Sequence, residues 1–308
     1  MTEKILLTGG NGFLGQFVKK ELIKCGFLPQ NIFTPTKKEF DFTKLKDCQK
    51  AVKDINIVIH LAAKVGGIGL NQQIPGKLFY DNLIMGAQLM EAARQANVKK
   101  FVAIGTVCAY PKFTPVPFKE ENLWNGYPEE TNSAYGLAKK MLLVQAQAYR
   151  QQYGFNAIYL LPVNLYGPGD NFDPSSSHVI PALIKKAVKA KKNHDASITV
   201  WGTGTASREF LYVEDAARAI VSATLKYNQS EPINIGFGTE ITIKNLVSTI
   251  NKLVGFKGQI IWDKTKPDGQ PRRCLDTSKA LKEFGFQAKT DLKSGLQKTI
   301  DWYLSGLK

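Results

Sequence analysis

A short apolar run, Lys4-Ile5-Leu6-Leu7-Thr8, is followed at once by glycines at 9, 10, 12 and 15, and then by a helical pattern through Phe17, Leu22 and Ile23. Few folds accommodate such a join. Strand, glycine turn and helix in that order leave unpaired N–H groups and the positive end of a helix dipole facing whatever lies above the turn. Glycines there let the backbone approach a ligand closely, and a dinucleotide pyrophosphate is the ligand this context suits. Gly9, Gly12, Phe13, Leu14 and Gly15 are therefore the expected cofactor contacts. A plain tight turn between strand and helix would have the same composition, so the rest of the chain must decide.

The rest continues the alternation. A second strand is expected near 31–34, a buried one at 57–63 (IVIHLAA), another at 100–105 and another at 156–166, with helical periodicity at 79–96 and 133–152 between them. Near-continuous apolar strands suit a parallel sheet covered on both faces. The alternation predicts an α/β fold with a doubly wound parallel (Rossmann) sheet over residues 1–165. After a turn-rich loop at 167–174 the pattern loosens. A basic helix, a strand at 197–201, a helix at 213–225 that packs back on the sheet, a strand at 233–235, helices at 243–253 and 292–304 and a strand at 259–261 follow. Residues 166–308 are expected to form mainly a smaller C-terminal α/β substrate domain, with segments near 205–240 returning to the first.

The stretch 105–140 carries the acid–base chemistry. Tyr135 and Lys139 are four apart, hence one turn apart on one helical face. An ammonium beside a phenol is expected to lower the tyrosine's pKa, and the pair suits proton transfer to a ketone or alcohol oxygen. An amphipathic helix gives the same spacing with no chemistry. Thr106 and Cys108 stand just past the strand ending at 105, the sheet edge where open α/β folds gather their site residues. His60, inside a buried strand, reads as a core histidine. At the end of the second strand, where Asp or Glu would select a cofactor lacking a 2′-phosphate, stand Thr36, Lys37 and Lys38, with Glu39 and Asp41 later. That favours NADP(H), with Lys37 as the candidate contact, although both lysines also fit a solvated loop.

Several function classes drop away. No apolar run reaches the ~18 residues of a membrane span, and the first residues lack the basic and apolar regions of a signal peptide, so a cytoplasmic location and no membrane partner are expected. Cys25, Cys48, Cys108 and Cys274 form no close pair, and His60, His178 and His194 show no metal spacing, so no metal is expected. The net charge is +15. Its densest cluster, Lys185, Lys186, Lys189, Lys191 and Lys192, has no interleaved aromatics, and no nucleic-acid module is recognisable, so nucleic acid is not an expected partner. A solvated basic face or an anionic small-molecule substrate accounts for it.

The spaced glycines resemble the version of the dinucleotide loop found in short-chain dehydrogenases/reductases. More specifically, TGGNGFLG, HLAAKVGGI, CAYP, YGLAK, NLYGPGDNFDPSSSHVIPALI, WGTGTASREFLYVED and KPDGQPRRCLD together resemble the GDP-L-fucose synthase family of extended short-chain dehydrogenases/reductases along nearly the whole chain. The resemblance implies epimerisation of GDP-4-keto-6-deoxy-D-mannose at C3 and C5, NADPH-dependent reduction at C4, and a homodimer, with the helices at 79–96 and 133–152 as its candidate interface. It assigns Tyr135 as the C4 proton donor, Lys139 as the nicotinamide-ribose contact, Cys108 and His178 as the epimerising base and acid, and Thr106 to the family's serine position. Lys186 and Arg208 match diphosphate contacts, Trp201 a pocket residue, and Asp268 and Arg273 substrate contacts in the late loop. Thr106 departs from the pattern by a methyl group.

Two other readings remain. An epimerase/reductase or a 4-epimerase for another nucleotide-linked sugar shares the cofactor site, but a 4-epimerase has no use for a Cys/His pair. A non-catalytic NADP-binding protein would have no use for the assembled proton-transfer groups.

Overall fold

The computed structural model describes residues 1–307. In chain order the first half runs β1 (Ile5–Thr8), α1 (Phe13–Lys24), β2 (Ile32–Phe33), α2 (Leu45–Ala51), β3 (Ile57–His60), α3 (Ile68–Gln73), α4 (Pro75–Gln95), β4 (Lys100–Ile104), α5 (Ser133–Tyr153) and β5 (Ala157–Pro162). It continues with β6 (Asn164–Tyr166), α6 (Val179–Asn193), β7 (Ser197–Trp201), β8 (Ser207–Tyr212), α7 (Val213–Lys226) and β9 (Ile233–Ile235). The chain ends with β10 (Glu240–Thr242), α8 (Ile243–Val254), β11 (Gln259–Asp263), α9 (Ser278–Phe284) and α10 (Leu292–Ser305).

The main sheet has the order β2-β1-β3-β4-β5-β9, and every pairing in it is parallel. Every residue of β1, β3, β4, β5 and β9 is buried, as a sheet covered on both faces requires. The strand order reverses between β1 and β3, and a crevice opens at the carboxyl ends of strands at such a switch point. The glycine loop lies there. One cluster of buried apolar side chains surrounds this sheet. A second lies among α6, β7, β8, α8 and α10, beside a three-stranded sheet (β10-β8-β6) and a two-stranded one (β11-β7).

Three sequence expectations change. Residues 156–166 are two strands in two sheets. Pro162 is the last residue in register with β9, opposite Ile235, and beyond it the chain leaves the sheet as β6, which pairs with β8. The strand expected over 57–63 stops at His60, and residues 61–67 run along the crevice instead. Finally SREFLY, which carries no strand signal in the sequence, forms β8; all six residues are buried, including Arg208 and Glu209. Polar residues inside a buried run obscure the apolar signal that marks a strand. They are there because this strand forms a wall of the site.

Candidate active site

One cleft of about 1510 Å³ runs from the glycine loop to the segment 267–273. Every residue singled out above as a site candidate lines it, from Gly9 and Lys37 early in the chain to Trp201 and Arg273 late in it.

At the cofactor end the glycines differ in what they do. Gly9 has φ +70°, and a methyl group on it would come within 2.9 Å of the Ala62 nitrogen. A methyl at Gly15 would be 2.1 Å from the Gly9 carbonyl oxygen, so Gly15 lets α1 close on the loop. Gly12 is different. Its φ is −83° and a methyl there meets only the Gly9 oxygen, at 3.2 Å. The space left at Gly12 opens on the cleft, at the N-terminus of α1, where no side chain caps the helix. That cradle fits a dinucleotide diphosphate. Farther along, Thr36 donates from both its backbone nitrogen and its hydroxyl to Glu39 Oε2, at 2.7 and 2.8 Å. Glu39 is thereby folded back on its own turn, while Lys37 lines the cleft and Lys38 does not.

The catalytic stretch is assembled by backbone contact. Thr106 caps a short turn at 107–109, its Oγ1 accepting from the Cys108 nitrogen at 3.2 Å. A methyl at Gly136 would lie 2.3 Å from the Cys108 carbonyl oxygen. The absence of a side chain there lets α5 rest on this turn and brings Tyr135 to Thr106 and Cys108. Gly105 does the same for Tyr159, whose hydroxyl donates to the Lys139 carbonyl at 2.9 Å. Gly105 and Gly136 stand beside the residues read as catalytic, and nothing in the helical spacing marks either.

The expected lowering of Tyr135 is not what the structure gives. Burial pushes its pKa up, nearby Cys108 adds to that, and the Thr106 side chain works the other way. Lys139 is not among the causes; it is itself buried and pulled down to about 8. Desolvation outweighs attraction because protein packs closely around both groups where they line the cleft. The outcome is a protonated phenol at neutral pH, which suits a proton donor. His178, the residue before α6, turns its exposed surface into the cleft. The enclosing protein lowers its pKa, and the Arg273 guanidinium lowers it further. His60 is fully buried and held neutral by burial at about 3; its Nδ1 is hydrogen-bonded to the Thr8 hydroxyl at 2.8 Å and its Nε2 has no partner among the described residues.

Beside Cys108, Arg208 and Arg273 are both buried, and neither has a carboxylate within ion-pair reach among the described residues. Arg208 donates to the carbonyls of Ser207, Gln270 and Asp268 at 2.5–2.7 Å. Burial and then Arg273 pull it down to about 9, so it stays cationic at neutral pH. Asp268 accepts from Thr203 through both oxygens, which shapes the loop. Of the basic cluster on α6, Lys185, Lys186 and Lys189 line the cleft, and burial lowers Lys186. Within the cleft wall Lys185 donates to the Phe172 carbonyl and Lys186 to the Thr199 carbonyl, at 3.0 and 2.8 Å, while Lys191, outside it, donates to the Val254 carbonyl.

Sequence reasoning also missed Asp170. Its side chain is buried against the cleft; Oδ1 accepts from the Asn171 nitrogen at 2.7 Å, and Oδ2 has no partner. Burial raises its pKa to about 7. An unfolded aspartate ionises near ~3.9, so the stability this group contributes is intact below that pH and is lost as pH rises towards 7. Asp170→Asn keeps an acceptor and removes the charge. Its stability relative to wild type should therefore improve between pH 5 and pH 8, by on the order of 2 kcal/mol. Urea unfolding at the two pH values measures this; an advantage independent of pH would show that Asp170 ionises normally.

A parallel sheet with a glycine-rich helix start at its switch point, and a Tyr/Lys pair beside the end of β4, defines an extended short-chain dehydrogenase/reductase. Residues 5–236 match the NAD dependent epimerase/dehydratase family. The chain is 41% identical over 306 residues to GDP-L-fucose synthase 1 of Arabidopsis thaliana, covering 99% of this chain and 94% of that protein. Among solved structures, a GDP-L-fucose synthetase from Naegleria fowleri bound to NADP superposes with a TM-score of 0.86 at 29% identity, over 100% of this chain and 95% of the other. A GDP-6-OMe-4-keto-L-xylo-heptose reductase from C. jejuni gives 0.91 at 28%, over 99% and 98%. The chain belongs to the NAD dependent epimerase/dehydratase family and, within it, to the GDP-L-fucose synthases.

Proposed function

We propose that this protein converts GDP-4-keto-6-deoxy-D-mannose to GDP-L-fucose, inverting C3 and C5 and reducing C4. The observation that carries this reading is the joint lining of one cleft by Tyr135, Lys139, Cys108 and His178, with the buried, carboxylate-free guanidinium of Arg208 beside them. Arg208 and Lys186 offer an anionic diphosphate charge-assisted hydrogen bonds, and Trp201 and Asp268 border the sugar.

NADPH, when bound by Gly9, Gly12, Phe13, Leu14, Gly15, Lys37 and Lys139, supplies the hydride for C4. Tyr135, held protonated by burial, donates a proton to the C4 oxygen, and Thr106 steadies that oxygen with its hydroxyl. Protons next to the ketone are acidic because the carbanion is delocalised onto oxygen. Cys108 removes them as thiolate, and His178 returns a proton from the opposite face. The substrate diphosphate counters the positive field that disfavours the His178 imidazolium in the free protein. The sheet-bearing part, about residues 1–165 with returning segments near 205–240, holds the cofactor, and the remainder holds the GDP-sugar.

Incubation with this substrate and NADPH, followed by NMR of the product, tests the assignment. Reduction with C3 and C5 retained would make the protein a reductase alone, a reading that the likeness to the C. jejuni heptose reductase keeps open. The protein works in the cytoplasm as a homodimer in this proposal; no helix among the described residues is long and apolar enough to cross a membrane. The helices α4 and α5 pack on each other and leave Tyr80, Val144 and Tyr153 exposed for a second copy, a surface that mass measurement in solution tests.

Lys37→Ala should cost NADPH about tenfold or more in affinity relative to NADH, the scale of one charge-assisted hydrogen bond. Lys38→Ala, outside the cleft, is the control. Equal behaviour of the two variants in cofactor titrations would remove Lys37 from the 2′-phosphate site.

A further inference from the structure

We infer that Arg273 is the positioning residue that holds the Cys108 sulfur as a thiolate, a role distinct from that of Arg208 at the diphosphate. The inference rests on Cys108 being the epimerising base. Arg273 Nη1 lies 3.6 Å from Cys108 Sγ and 3.5 Å from Asn164 Oδ1. Its Nε donates to Gln270 Oε1 at 3.1 Å. The neutral partners are themselves fixed. Asn164 Nδ2 donates to the Glu209 carbonyl at 2.9 Å, so its oxygen must face the guanidinium. Gln270, 1% exposed, spends both amide hydrogens on the carbonyls of Pro111 and Lys112, at 3.0 and 3.1 Å. The Arg273 carbonyl in turn accepts from the Glu209 nitrogen at 2.9 Å.

Arg273 is 5% exposed and has no ion-pair partner among the described residues. A buried cation without a counter-charge is costly, and of the groups hydrogen-bonded to this one only the thiol can become an anion. Arginine next to a cysteine favours the thiolate. The other charged or titratable groups around the pair agree. Arg208 on β8 gains from an anionic Cys108, whereas the phenol of Tyr135 on α5, raised first by burial, is raised further by it. His178 before α6 is disfavoured as a cation by Arg273, a burden that a thiolate relieves. Glu129 and Asp268 act on Arg208. When the thiolate takes the proton beside the ketone, the C–H electron pair passes to the enolate and the proton ends on sulfur. Arg273 therefore sustains the population of the base at some expense of its strength.

The test uses the free enzyme, so it does not depend on the identity of the sugar. Iodoacetamide labelling of the Cys108 peptide is followed by mass spectrometry across pH in wild type, Arg273→Gln and Arg273→Lys. Arg273→Gln should slow labelling roughly tenfold at pH 7, with the deficit closing as pH rises, and Arg273→Lys should restore most of the rate. GDP affinity, measured by calorimetry, should change less than about threefold, because Arg208 carries that contact. Unchanged labelling with weakened GDP binding would make Arg273 a substrate cation only, and unchanged labelling with unchanged binding would equally overturn the proposal. If Arg273→Gln proves unstable, labelling of Arg273→Lys against Arg273→Met decides the same question.

Discussion

Tyr135→Phe should reduce NADPH oxidation by 10²- to 10⁴-fold, roughly the contribution of a well-placed general acid. The ring still fills its place over the turn at 107–109, since the approach of α5 depends on Gly136 and not on the hydroxyl. Cofactor affinity should change little, because Lys139 and the glycine loop are untouched, and the melting temperature should be nearly the same. The informative part is what survives. Cys108 and His178 remain, so deuterium from solvent should still enter C3 and C5 at close to the normal rate while C4 stays a ketone. The variant thus separates the two halves of the reaction. Absorbance at 340 nm reads the first half and mass spectrometry of recovered substrate the second. NADPH oxidation within tenfold of wild type would mean that another group protonates the C4 oxygen.

Burial matters to this expectation. Charge attraction between Tyr135 and Lys139, taken alone, would favour the phenolate. In the folded protein desolvation is the larger effect, raising the phenol and lowering the lysine to about 8. Spacing along a helix shows that two groups share a face, but not how far that face lies from water. The same gap explains Asp170, an ordinary loop aspartate in sequence whose unpartnered oxygen becomes visible only once the loop is seen against the cleft.

Local patterns were legible where each residue's neighbours in space are also its neighbours in sequence. The glycine loop, the α5 spacing and the helix over 213–225 belong to this class, and the structure has α7 at 213–226. What escaped depends on contacts across the chain. The division of 156–166 into β5 and β6 follows from sheet membership, which a single apolar run cannot encode. β8 pairs with β10 and β6, and its Arg208 and Glu209 serve the site and the loops around it. Glu209 accepts from the Leu275 nitrogen and, with Oε1, from Gly238, tying three distant segments together. Site residues from the late loop were legible only through family resemblance, because no periodicity links Arg273 to Cys108 across 165 positions.

The other large effect is expected at that cysteine. Cys108→Ser replaces a group able to carry charge near neutral pH with one that does not ionise in that range. The base is lost, and deuterium entry at C3 and C5 should fall by at least about 10²-fold, the lower bound of what such a group supplies. Folding should be little affected, since the two side chains are close in size and the Thr106 contact is to the Cys108 backbone. His178→Gln should behave differently. The thiolate can still remove the proton, exchange it with solvent and return it to the same face. Exchange without inversion is then the expected result, with deuterium entering while the configuration is retained. A base and an acid on opposite faces of the ring predict this asymmetry; a single two-proton shuttle predicts that both variants lose exchange together. NMR of substrate incubated in heavy water without NADPH distinguishes them. If Cys108→Ser exchanges at the wild-type rate, the sulfur is not the base, and the Arg273 guanidinium then has no anion to serve.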